Sequence, residues 1–283
     1  MVLESIANPL RAERKPWELF LVGLLYASAA LFLSNWIFKE HASLIMVFLT
    51  AMASIPLIYN TIKIEEKKDS MLDTESKRLK EHSKALLFLC FLFMGFVVAF
   101  VLWYIILPAS FVQNTFYTQT LTIRSINTKV TGDFQGIKTF TIILLNNIKV
   151  LIFCILFSFL YGAGAIFILS WNASVIATAI GNFVRLNLET ASTKIGLMKW
   201  ASYFHIVSLG LLRYALHGIP EIAAYFIAGL AGGIISVAVI KESFGTRKFE
   251  NIILDSSDLI LISVGVLIIA AIFEVYLTPL LFY

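Results

Sequence analysis

The residues able to do chemistry gather in the last third of the chain. His217 and Glu221 open the run HGIPEIAAYFIAGLAGGIISVAVIK, and Glu274 stands in FEVYLTP further on. His217 and Glu221 are four apart, a spacing that puts them on one helical face. An ionised side chain at the centre of a bilayer costs roughly 3 kcal/mol or more, so acids in apolar runs are kept for substrate or proton passage, or are paired. His205 and Arg213 lie just upstream, while Asn147 and Asn172 bring hydrogen-bonding side chains from earlier apolar runs. Together Asn147, Asn172, His205, Arg213, His217, Glu221 and Glu274 are predicted to form an intramembrane polar core. It would either relay a substrate or proton, or close on itself as a bonded network that fixes helix register.

Hydrolytic and metal chemistry find no footing. HGIPE lacks the second histidine of H-E-x-x-H, and neither a P-loop nor a G-x-S-x-G elbow occurs. No catalytic residue, metal set or cofactor is expected, and the chain is read as a non-enzyme. Cys90 and Cys154 both sit in apolar runs, which argues against a disulfide framework.

The elements that must position this core are membrane helices. Of 283 residues, 59% are hydrophobic and 14% charged, and mean hydropathy is +0.86, values of a polytopic membrane protein. A net charge of +4 needs no nucleic acid, because basic residues beside spans answer anionic lipid. The fold class expected is all-α, with about six transmembrane helices, short re-entrant or interrupted helices, and a small extracytoplasmic loop.

Three helices are predicted at 17–38, 42–62 and 85–107. The first is read as a retained span rather than a cleaved signal, and Pro56 is expected to kink the second. Seven basic residues in 63–84, and Arg11, Arg14 and Lys15 before the first span, place the N-terminus and that loop in the cytoplasm. Asp73 and Lys77 favour a solvated helical connector there. Residues 1–108 thus read as an N-terminal membrane segment and 141–283 as a membrane core. Between them, 109–140 is an outer loop whose Thr, Ile and Tyr content suggests short strands or an irregular cap. It would contact partners outside or close over the bundle.

After Asn146 a single span reaches only to about residue 169. The remainder, SWNASVIATAIG, is expected to be a short re-entrant helix with Asn172 near its N-cap. Residues 186–199 should be a polar link and 201–216 a second short helix, because His205 and Arg213 interrupt it. Pro220 then suits the first position of the next span, which would place Glu221 in a first turn rich in free N–H groups. Two short helices between long ones are compatible with the mirrored halves of transporters. Gly162, Gly164, Gly181, Gly218, Gly229, Gly232 and Gly233 are predicted to clear helix faces for close packing. A polar link at 241–257 precedes the last helix, 258–281. Its side of the membrane depends on whether 201–216 crosses.

The order of these motifs resembles the stage II sporulation protein M family, also called DUF95. The run NNIKVLIF…YGAG…WNASVIATAIG, then HGIPEIAA…AGLAGG, then FEVYLTP carries the resemblance, from about Asn146 onward. Asn147, Asn172, Gly181, His217, Gly218, Glu221, Gly229 and Gly233 stand where the family pattern has Asn, Gly, His-Gly and Glu. Glu274, Thr278 and Pro279 match its closing acid and Thr-Pro. The resemblance implies an integral membrane protein that works through partners, since the founding member resembles a scaffold holding peptidoglycan-degrading proteins at a septal membrane. The expected function is therefore a multi-pass cell-membrane scaffold or assembly factor, with the transporter or permease subunit as alternative. Its expected partners are the lipid bilayer and other membrane or envelope proteins, with a homo-oligomer left open.

Overall fold

Long apolar runs leave the backbone one way to satisfy itself in lipid, and the chain takes it throughout. The structure is a computed structural model describing residues 15–69, 75–130, 136–161, 164–191, 197–241 and 245–282; among these there is no strand. Helix α1 (Trp17–Ile37) leads through a 3₁₀ turn (Lys39–His41) into α2 (Ala42–Asp69) and α3 (Glu75–Ile106). Two short helices follow, α4 (Ala109–Thr115) and α5 (Tyr117–Val130), and then α6 (Gly136–Tyr161) and α7 (Ala165–Ala191). After them come α8 (Leu197–Lys241), α9 (Arg247–Ile272), a π-helical turn (Phe273–Leu277) and α10 (Thr278–Phe282). Among the described residues seven helices are long and apolar enough to cross a membrane. The chain is an all-α, polytopic membrane protein.

Several local expectations give way. The predicted re-entrant helix is the middle of α7, and Asn172 is no cap: its Nδ2 donates to the Ile168 carbonyl within that helix at 2.9 Å. Residues 201–216 are continuous with the run from His217, giving one helix of 45 residues, about 68 Å at ~1.5 Å per residue. Pro220 lies inside it. Its missing N–H forfeits one bond to the Leu216 carbonyl, and apolar packing on both sides outweighs that loss. Glu221 therefore faces no open first turn, and the picture of mirrored halves meeting at broken helices is not realised. Residues 109–130 are helical rather than stranded, so Thr and Ile content yields here to the helical preference of a membrane cap. α2 also runs through Pro56. The supposed links shrink in the same way: α7 extends to Ala191, and α9 begins at Arg247 behind Thr246, whose Oγ1 accepts from the Phe249 N–H at 3.3 Å. The Asp73–Lys77 pair and Gly162 lie outside the described residues and side chains.

The central helix is α8, the most enclosed of the seven spans. It packs on α6, α7, α9 and α2. α1 and α3 lie side by side and run the same way. Gly23 and Gly95 meet backbone to backbone, Trp103 Nε1 donates to Ser28 Oγ at 2.9 Å, and Phe32 stacks edge-on against Trp103 with centroids 4.7 Å apart. α7 joins this pair where Gly181 sits under the Tyr104 ring. Ala177, Gly181 and Val184 are buried along that seam, so α7 runs parallel to α3. α8 returns antiparallel, because Gly210 meets Phe183 near the far end of α7 whereas Gly233 meets Ile62 near the charged end of α2. α8 consequently ends on the face of the bundle where α2 ends and α3 begins.

Candidate functional site

Arg213, His217, Glu221 and Tyr225 follow one another at four-residue intervals along α8. Each step advances about 400°, so the four form a stripe drifting ~40° per step around one side of the helix. Tyr225 is 0% exposed and is the largest fully buried side chain among the described residues. Its hydroxyl donates to Glu221 Oε1 at 2.7 Å, giving the carboxylate a charge-assisted partner where water is scarce. Arg213 lies over the Phe183 and Tyr214 rings, 5.9 and 6.0 Å from their centroids.

The opposing wall is the π-helical turn. Pro279 lacks the N–H that the Val275 carbonyl would receive in an α-helix, and its ring crowds that carbonyl. The backbone widens by one residue, and Thr278 instead donates both its N–H and, at 2.9 Å, its Oγ1 hydrogen to the Phe273 carbonyl. Single π-turns of this kind are frequent at functional sites. Here the turn holds Glu274, and it brings Thr278 Oγ1 to 3.3 Å from His217 Nδ1. Glu274 lies within electrostatic range of Glu221 and of Tyr225. The two acids, His217, Tyr225 and Thr278 therefore form one cluster joining α8 to the segment after α9.

Not every expected member joins. Asn147 is buried on α6. Asn172 is occupied within α7, and His205 is exposed. Tyr225 and Thr278 were absent from the expected polar core. Tyr225 was legible as the next member of the four-residue series, but its OH reads as incidental inside an apolar run. Four of the glycines named in the sequence lie against a neighbouring helix. A Cβ on Gly232 would stand 2.7 Å from the Ile155 carbonyl oxygen of α6, and one on Gly229 2.8 Å from the Ala165 Cβ. Gly233 and Gly181 meet Ile62 and Tyr104. Gly164 abuts the Phe157 carbonyl in the tight turn between α6 and α7. Gly218 has nothing within 4 Å, so it faces open space and clears no contact.

A second polar layer caps the opposite end of the bundle from the charged loop. Asn35 Nδ2 donates to Thr115 Oγ1 at 2.7 Å, Ser43 and Thr118 share a hydrogen at 2.6 Å, and Gln119 Nε2 reaches both the Ser43 carbonyl and Ser174 Oγ at 3.1 Å. These bonds fasten α4 and α5 to α1, α2 and α7. Arg185 of α7 donates to the Leu107 carbonyl, with a longer contact to Ile105 at 3.5 Å, and lies over Tyr104. It thereby satisfies carbonyls left open where α3 ends and Pro108 offers no N–H. Among the described residues no group of three His, Cys, Asp or Glu side chains is placed to hold a metal ion.

Comparison with curated proteins and with solved structures returns no match. The sequence does match the family described as Stage II sporulation protein M, over residues 84–279. That region starts within α3, earlier than the motifs after Asn146, and takes in α4 and α5 together with the whole α8–π-turn cluster. With more than half its length matched, and with a multi-pass helical architecture, the chain belongs to the Stage II sporulation protein M family.

Proposed function

We propose that this protein is a membrane-embedded scaffold or assembly factor that organises partner proteins in the cell membrane and performs no catalytic step. The supporting observation is that four of the cluster's five side chains, all but Glu274, bond within the protein. Glu221 is held by Tyr225 one turn away, and His217 is held by Thr278, which is fixed in turn to Phe273. Of two clefts in the structure, the inner one holds about 20 Å³, and neither is lined by His217, Glu221 or Glu274. Satisfied polar groups of this kind fix the register of packed helices. The large apolar side chains on the outer faces of α6 and α9, such as Phe153, Leu160, Leu254 and Leu261, are available to lipid and to partner spans.

The orientation that goes with this reading places Lys15, the end of α2 and the start of α9 in the cytoplasm, because these lie on one face and the basic residues beside them favour that side. An odd number of spans then puts residues beyond α9 on the outer face. One observation favours a permease as the second reading: Glu221 and Glu274 share a site across two segments, an arrangement also suited to relaying a proton or a cation.

The deciding experiment uses reconstituted protein. A scaffold shows no proton or cation flux above empty vesicles, and Glu221→Gln alters assembly and stability instead. Flux that Glu221→Gln abolishes at normal expression would replace the scaffold with the permease. Crosslinking in native membranes followed by affinity purification then identifies what is held.

A further inference from the structure

α6 is the least enclosed of the seven spans, and its outward face carries a charge. Asn147, Leu151, Cys154 and Ser158 form the stripe that it buries. Lys149 is exposed and lies about 160° around the helix from Asn147 and Leu151. It stands roughly 20 Å along α6 from Gly136 and roughly 18 Å from Tyr161, near the centre of the span. The hydrocarbon layer extends ~15 Å to either side of its midplane, farther than a lysine stem carries its ammonium. Among the described residues no carboxylate pairs with Lys149. A cation held this way inside a membrane is costly unless something meets it.

We propose that the outward face of α6 docks a transmembrane helix of a different protein, one carrying an aspartate or glutamate opposite Lys149 at mid-bilayer depth. Such a site presupposes the scaffold role proposed above and gives the chemistry of what is held.

The surroundings suit that occupant. Asn146, exposed and three positions earlier, shares the face of Lys149, and its amide can donate to the second oxygen of a carboxylate. Leu145, Ile152, Phe153 and Leu156 are exposed around the pair and supply apolar contact. A lipid phosphate has the right charge at the wrong depth. A second copy joined through this face by a two-fold axis sets lysine against lysine. Glu221 and Glu274 belong to the α8 cluster. Asp258 is exposed on α9, but it lies roughly 27 Å along that helix from Tyr276, whose ring meets Gly136, whereas Lys149 lies roughly 20 Å along α6 from the same contact. The two differ in depth.

The test reconstitutes fluorescently labelled full-length protein in phosphatidylcholine vesicles with a labelled leucine-rich transmembrane peptide bearing one central glutamate. The same peptide with glutamine is the control. Energy transfer is expected to favour the glutamate peptide by about fivefold or more. Lys149→Leu should erase that preference, and Lys149→Glu should transfer it to a peptide with central lysine. Equal binding of the two peptides, or a preference that survives Lys149→Leu, overturns the proposal. Melting of Lys149→Leu in detergent is expected not to fall; a fall means that the lysine serves its own chain and also overturns it. In native membranes, a photo-reactive phenylalanine analogue is placed at Phe153 on α6 or at Leu261 on α9. Capture at Phe153 of a protein with an acid in mid-span, reduced about fivefold by Lys149→Leu, supports the site. Capture there of a second copy overturns it. Capture at Leu261 alone removes the α6 site and leaves the scaffold standing, and capture at neither removes both.

Discussion

Tyr225 and Glu221, one turn apart on α8, are joined by a 2.7 Å hydrogen bond in which the phenol donates to the carboxylate. The tyrosine is wholly enclosed, so its hydroxyl has no water to fall back on. Tyr225→Phe is expected to cost about 1–2 kcal/mol, the worth of such a bond inside a membrane bundle. Glu221→Gln keeps an acceptor in place and should cost less. A double-mutant cycle read by denaturation in detergent checks this. Additive effects at the two positions would mean that the bond contributes nothing to stability.

Close approach of α8 and α6 depends on Gly232. Gly232→Ala places a methyl 2.7 Å from the Ile155 carbonyl oxygen and 3.2 Å from its Cα. Those are backbone atoms that cannot turn aside, so the helices must part, at a cost of about 1–3 kcal/mol. Gly218→Ala meets nothing within 4 Å and is expected to be neutral or to stabilise by up to roughly 1 kcal/mol, as alanine for glycine does inside a helix. Melting the two variants side by side gives the contrast, which disappears if α6 and α8 are not in contact.

The widened turn before α10 is attributed to Pro279, and restoring the donor should remove it. Pro279→Ala gives the Val275 carbonyl an N–H and lets the segment tighten to an α-helix. Everything after it then shifts by one residue, about 100° around the helix. Thr278 would swing away from His217. Paired cysteines introduced by His217→Cys and Thr278→Cys should crosslink readily with Pro279 present and poorly with alanine there. Equal crosslinking in both backgrounds would show that proline is not the cause.

Arg185 holds α7 to the end of α3. Arg185→Gln removes a charge-assisted bond to the Leu107 carbonyl and the cover over Tyr104. A loss of about 1.5–3 kcal/mol is expected. Arg185→Lys should recover only part of it, because an ammonium lacks the planar fork and the stacking surface. Full recovery by lysine would reduce the interaction to bare charge.

Sidedness is open to labelling. In a background with Cys90 and Cys154 replaced by serine, Glu40→Cys should react with an impermeant maleimide added outside intact cells. Thr246→Cys, on the opposite face in an exposed link, should react only after permeabilisation. The reverse result would invert the whole orientation.

Composition and apolar run length were enough to determine that this chain is an all-α polytopic membrane protein, because lipid leaves the backbone no alternative to helices within a single chain of such runs. The spacing of His217 and Glu221 already placed them on one face. Gly181, Gly229, Gly232 and Gly233 stood out as small residues in apolar runs, and a Cβ at each would meet a neighbouring helix. Helix boundaries were not legible. Pro220, Asn172 and Arg213 read as breaks by local propensity, yet α7 and α8 run through them, since packing along a whole helix outweighs one missing bond or one polar side chain.

Which polar groups meet was decided by the tertiary structure alone. Thr278 reaches His217 across 61 positions of sequence, Glu274 and Glu221 come within electrostatic range from two different segments, and His205, equally polar, is exposed. Side-chain type and spacing fix what a residue can offer along its own helix. What stands opposite it depends on how the helices rotate and cross.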